Sequence, residues 1–374
     1  MKALRYKGLC RRALLLVAVM VAMGGLPLLG LWLARRPVRP CLAFPPLTQF
    51  VEHAPFAWPL FGILALLALL TGGAIVLSLL CARPVERERT PSRFPLWGWG
   101  GLILTGLAWG LAWSRMAWFA PFQVTIFTPL WLGYIVVING LMVRRTGRCL
   151  MTTRPGLFLG LFPMSALFWW FFEYLNRFAQ NWYYPPILEL GPLAYFLMAT
   201  LPFATVLPAV LSTADLLGSL PRLDDGALHG PALRLRHPRR AAVVLLVFAA
   251  MGLVGLGVWP NLLFPLLWLS PLVLVLGLAV LCGQTTVLSP VSWGDWTLPV
   301  RFALAALICG FFWEFWNIRS AAQWVYSVPY VHRFLIFEMP LLGYLGYLPF
   351  GLECVAIVDF LLGGRFGQGE APLA

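Results

Sequence analysis

Apolar runs of roughly 20 residues, the length an α-helix needs to cross a hydrocarbon layer, recur along the whole chain, parted by short polar segments. They predict ten spanning helices, at about 13–34, 56–81, 96–117, 121–143, 157–177, 192–218, 241–258, 261–282, 300–318 and 340–363. The expected fold is all-α, a polytopic integral membrane protein. The run Ala13–Ala34 follows a basic start, as a secretory signal does. It is long, however, and no small-residue cleavage site follows, so it reads as a retained first span.

The apolar pattern repeats itself at a longer scale. Trp170–Phe203 and Phe311–Phe350 carry the same signature: Glu173 and Asn176 match Glu314 and Asn317. Next comes an amide-Trp-x-Tyr element (Asn181, Trp182, Tyr184; Gln323, Trp324, Tyr326), then a Glu shortly before a Pro-Leu (Glu189, Pro192; Glu338, Pro340), and both copies close on Leu-Pro-Phe. Upstream, Phe127–Leu141 matches Phe264–Leu278 in its Phe, Leu-Trp-Leu and Gly-Leu positions. The predicted unit is thus four helices, present twice, at 96–218 and 241–374 with its tail. A two-span segment and a charged surface linker (82–95) occupy 1–95, and a turn-rich basic linker occupies 219–240. Four spans is an even number, so the two copies run in parallel about an axis along the membrane normal.

Composition narrows the class. Hydrophobic residues make up 60% of the chain and charged ones 11%, against about a quarter charged in soluble domains. The net charge of +13 sits in loops beside the apolar runs. Nineteen of the 27 Lys and Arg fall on one side, seven on the other, with Arg301 at a boundary. That bias places both termini in the cytoplasm, as in a bacterial inner (plasma) membrane. Lys/Arg runs interleaved with aromatics are missing, so no nucleic-acid partner is expected. The seven Cys show neither CxxC nor metal-ligand spacing, and the four His lie outside the predicted spans. No metal, haem or other cofactor is expected. Nucleotide-binding, metalloprotease and serine-hydrolase motifs are missing too.

Candidate chemistry then rests on acids in apolar surroundings. Glu173, Asn176, Arg177 and Gln180 share one helix face, and a carboxylate inside a span should face protein or a water-filled chamber. If the copies pack about a common axis, Glu173 and Glu314 approach each other as a general acid and base, oriented by Asn176 and Asn317. A plainer reading pairs Glu173 with Arg177 and Glu314 with Arg319, the Asn residues cross-linking helices. Trp182, Tyr184, Trp324 and Tyr326 fit an aromatic belt at the outer interface that could also shape a substrate pocket. Arg177 and Arg319 could hold an anionic head group. Glu189 and Glu338 could join the pocket, or simply precede Pro-initiated helices. Four Glu and two amides offer oxygen ligands, but no Asp-rich loop supports a metal. Glu353, nearer mid-span, is the candidate proton relay, while Asp215 and Asp359 lie near inner helix ends.

The leading expectation is an intramembrane enzyme acting on a membrane lipid or isoprenoid-like substrate from the outer side. A proton- or cation-coupled carrier and a non-catalytic subunit anchoring protein partners at the outer face are the alternatives.

Overall fold

The computed structural model describes residues 2–185 and 190–366. Helix accounts for 69% of the described residues, which hold only four strands, each of two residues. The helices are α1 (Lys2–Leu33), α2 (Trp58–Leu80), α3 (Leu96–Trp113), α4 (Phe127–Thr146), the single turn α5 (Leu150–Thr153), α6 (Pro155–Ala179), α7 (Pro192–Phe203) and α8 (Val206–Gly218). There follow α9 (Pro238–Val258), the single turn α10 (Pro260–Leu263), α11 (Leu266–Leu281), α12 (Thr297–Asn317) and α13 (Tyr347–Leu362). Among the described residues eight helical segments are long and apolar enough to cross a membrane. The 18-residue α3 and the 16-residue α11 take the places expected for the third and eighth spans.

Proline sets several boundaries. It stands in the first turn of α2, α6, α7 and α9, where its missing N–H costs nothing. Where one span was expected over 192–218, the chain breaks at Ala204–Thr205 into α7 and α8. Pro208 has no N–H to offer the Ala204 carbonyl, and the Thr205 hydroxyl turns back to the Pro202 carbonyl at 2.6 Å. The third helix also stops early, at Trp113, and a 3₁₀ stretch containing Pro121 occupies Ala117–Thr125.

In the bundle α3 lies along α4, α9 against α1 and α11, and α12 against α13 and α8. Glycine permits the closest of these crossings. A Cβ at Gly30 of α1 would strike the Val254 carbonyl of α9, and one at Gly257 would strike the Pro27 carbonyl. Gly351 of α13 lies as tightly on the Phe302 carbonyl of α12. Such backbone-to-backbone approach is how helices associate where lipid offers no hydrophobic drive. At the centre is Phe350, whose ring lies 5.8–6.3 Å from those of Phe168, Trp169, Phe172, Trp268 and Trp313.

Strands mark one end of the bundle. β1 (Trp182–Tyr183) pairs antiparallel with β2 (Val325–Tyr326), Trp182 opposite Tyr326, and β3 (Leu335–Ile336) pairs with β4 (Met339–Pro340). The ribbon β1–β2 joins the loops that follow α6 and α12.

At the opposite end the charged segment 82–95 lies at the surface, as expected, but does more than link. Its backbone is docked, with Arg83 N–H on the Ala227 carbonyl, Val85 N–H on Pro221 and Ser92 N–H on Arg144. Arg87 and Arg89 reach Asp224, and Arg301 reaches Asp225 at 2.9 Å. Alternating Glu and Arg looked merely solvated because its acidic partners lie far away in sequence.

Candidate functional site

Glu173 lies on α6, on the helical face that also carries Trp169 one turn before it. Its side chain is fully buried, and one oxygen, Oε1, accepts three hydrogen bonds. Trp169 Nε1 and Trp182 Nε1 donate at 3.0 Å and the Tyr184 hydroxyl at 2.6 Å. Glu314 on α12 is equally buried; its Oε1 accepts from Tyr326 at 2.7 Å and Tyr347 at 2.8 Å, while Trp324 Nε1 supports the Tyr326 hydroxyl at 2.9 Å. In both residues the second oxygen, Oε2, is buried without a partner.

The donors differ between the sites in a compensated way. Four residues before Glu173 stands Trp169; four before Glu314 stands Gly310. A Cβ at Gly310 would collide with the Tyr347 ring, so the missing side chain makes room for the phenol that reaches Glu314. At the position matching Tyr347, just before Leu-Pro-Phe, the first site has Thr200, and Thr200 accepts from Trp170 Nε1 at 2.9 Å. Each site therefore fills one volume with one aromatic donor, drawn from different helices. Trp169 and Tyr347 were not among the sequence candidates, although the spacing from each Glu and from each Leu-Pro-Phe would have found them.

The two Asn residues clamp the following loops. Asn176 Nδ2 donates to the Trp182 carbonyl at 2.7 Å and its Oδ1 accepts from Asn181 N–H at 2.8 Å. Asn317 Nδ2 donates to the Trp324 carbonyl at 2.8 Å and accepts from the same residue's N–H at 2.9 Å. These bonds hold Trp182, Tyr184, Trp324 and Tyr326 where their donors meet the carboxyls. Burial, and next to it the neighbouring carboxylate, hold the Tyr184 and Tyr326 phenols well above their ordinary range.

Neither Glu is paired with arginine. Arg177 is 7% exposed and gives its guanidinium to the carbonyls of Cys41, Ala43 and Pro45, locking the segment between α1 and α2 over the first site. Thr48 from the same segment donates to the Trp182 carbonyl at 2.8 Å. Arg319 is exposed, stacked 5.9 Å over Trp113. The ion-pair reading falls because a carbonyl cluster claims Arg177 and an indole claims Arg319. Arg177 is accordingly a fastening for the N-terminal segment.

No hydrogen bond or ion pair among the described residues joins Glu173 to Glu314. Trp169, Phe350 and Trp313 stand in a row from one to the other, and Trp313 stacks on Tyr347 at 6.0 Å. Two separate aromatic cages thus replace the single chamber expected from the repeat. Glu338 is half-buried in the turn between β3 and β4, in the electrostatic surroundings of Glu314. Glu189 lies outside the described residues. No group of three or more His, Cys, Asp or Glu able to hold a metal occurs among the described residues.

Glu353 sits two turns along α13 from Tyr347, near the middle of the span Leu341–Leu362. It is fully buried and neither oxygen has a partner. A small polar cluster lies in the same core, where the Tyr134 hydroxyl meets Thr213 Oγ1 at 2.9 Å and Thr213 meets Cys309 Sγ at 3.5 Å.

Comparison with known proteins found no matching family model, no similar curated protein and no similar solved structure.

Proposed function

We propose that this chain moves protons across a membrane through buried acids, as a proton- or cation-coupled carrier. In this reading all ten apolar helical segments span, the Arg-rich loops and both termini face the cytoplasm, and the β1–β2 ribbon faces outward between two parallel four-helix repeats. The supporting observation is Glu353, fully buried near mid-span with both oxygens unpartnered. A carboxyl in that position contributes nothing to packing that Leu or Gln would not, and its charged form is costly there. Acids also stand on either side of it along the bundle. About 9 Å toward the ribbon, six residues up α13, Tyr347 bonds Glu314. Toward the other end Asp215 lines a cavity.

The experiment is proton uptake into proteoliposomes under an imposed potential, read with a pH-sensitive dye. Wild-type vesicles take up protons faster than empty ones, and Glu353→Gln and Glu314→Gln slow the uptake at equal protein content. Uptake indistinguishable between wild type and Glu353→Gln removes the reading.

One observation favours the enzymatic alternative. At both Glu173 and Glu314 donors fix Oε1 and leave Oε2 bare, as a general acid/base acting on a lipid or isoprenoid-like substrate requires. Here the test is lipid composition. Membranes of cells expressing wild type, but not Glu173→Gln or Glu314→Gln, would accumulate a changed lipid species.

A further inference from the structure

The end of the bundle opposite the ribbon encloses a cavity of about 460 Å³, within the size range of small-ligand sites. The docked 82–95 segment, the ends of α4 and α8, and the start of α12 build its walls. Its chemistry is mixed. Four arginines and five acidic side chains line it, over an apolar floor that includes Met142, Leu298 and Phe302.

Most of these charges serve one another. Arg87 and Arg89 bind Asp224, and Arg301 binds Asp225 at 2.9 Å. Among the described residues Arg148, Glu88, Asp215 and Asp295 enter no ion pair. The Nε of Arg301 is buried without a partner, although Nη1 of the same guanidinium bonds Asp225. The wall therefore presents unspent donors on Arg148 and Arg301 together with three carboxylates outside ion pairs, of which Asp215 is neither exposed, as Glu88 is, nor engaged at a helix start, as Asp295 is.

From this we infer that the cavity binds a zwitterion made of a phosphate ester and a primary ammonium, the chemistry of a phosphoethanolamine group. A bare anion would meet five carboxylates, and a bare cation four guanidiniums; a dipolar ligand satisfies both sets. Phosphate suits the arginine donors on Arg148 and Arg301, both of which line the cavity. Ammonium suits Asp215. The inference shares Asp215 with the line of acids invoked for proton movement, but it does not rest on that reading, since its test reads ligand binding.

The test compares detergent-solubilised wild type with Arg148→Ala and Asp215→Asn. Neither substitution breaks an ion pair of the fold, and thermal unfolding without ligand checks that the variants are intact. Binding of phosphatidylethanolamine, phosphatidylglycerol and free phosphoethanolamine is measured by native mass spectrometry and by thermal shift. Wild type binds an ethanolamine-bearing probe more tightly than phosphatidylglycerol, and each variant weakens that binding about tenfold or more. Preference for the lipid over free phosphoethanolamine identifies a head group as the source, and equal binding identifies a soluble phosphate ester. Equal affinity for the ethanolamine and glycerol lipids, unchanged affinity in Asp215→Asn, or no binding by either ethanolamine probe overturns the assignment.

Discussion

Replacing Glu173 by Leu and, separately, by Gln separates what its carboxyl does for folding from what it does chemically. Leu fills much the same volume but strips an acceptor from Trp169, Trp182 and Tyr184, the three donors on Oε1. A buried donor left unpaired costs about 1–3 kcal/mol. Trp182 is 4% exposed and bears that cost in full, whereas Trp169 and Tyr184 are half-buried and can turn partly toward water. The total is therefore about 3 kcal/mol, near the low end of the sum. Gln keeps an oxygen where Oε1 stands and merely exchanges one buried, unpartnered polar group for another at the Oε2 position, so it should fold nearly as well as wild type. The assay is thermal unfolding in detergent followed by tryptophan fluorescence. Glu173→Leu should lower the midpoint by about 5 °C, since one kcal/mol is worth about 2–4 °C in a domain of 150–250 residues and less in a longer one. Glu173→Gln should move it by less than about 2 °C on the same scale. A Leu variant as stable as wild type would show that the three donors do not depend on this carboxyl, and the cage would lose its physical basis.

Three further outcomes follow from the same geometry. Asn317→Ala leaves the part-buried N–H and carbonyl of Trp324 unpaired, at a cost of about 2 kcal/mol, and faster hydrogen exchange confined to the loop after α12 is the expected signature; unchanged exchange there refutes the clamp. Gly310→Ala drives a methyl into the Tyr347 ring and should destabilise by about 1–3 kcal/mol, as overpacking does, with part of the loss recovered in Gly310→Ala/Tyr347→Leu. The phenols of Tyr184 and Tyr326 are held up in the folded state, so the unfolded chain releases these protons first, from about pH 10 upward. Folding stability they contribute is full below that pH and is lost as pH climbs toward the folded-state values. A tyrosinate signal that appears near pH 10 in wild type and vanishes in Tyr184→Phe or Tyr326→Phe would contradict their burial.

Helix positions were legible in the chain because lipid imposes one rule on every residue: an unpaired backbone group in hydrocarbon is too costly, so long apolar runs become helices. The same rule made Glu173, Glu314 and Glu353 conspicuous before any fold was known, since acids in such runs are rare. Their partners were not legible in the same way. Helical spacing pointed from Glu173 to Arg177, yet the guanidinium found carbonyls of Cys41, Ala43 and Pro45, residues more than a hundred positions away.

What the sequence by itself determined is the all-α class with its long apolar helices and the doubled order of Glu, Asn, Trp and Tyr, because both depend on local hydropathy and on spacing within one turn or loop. Tertiary packing alone decided that Glu173 and Glu314 occupy separate aromatic cages, that Gly310 and Tyr347 together do the work of Trp169, and that 82–95 closes a charged cavity with Asp224 and Asp225. Each of these depends on which helix lies beside which, and hydropathy, which treats every lipid-facing or buried apolar face alike, carries no information about that choice.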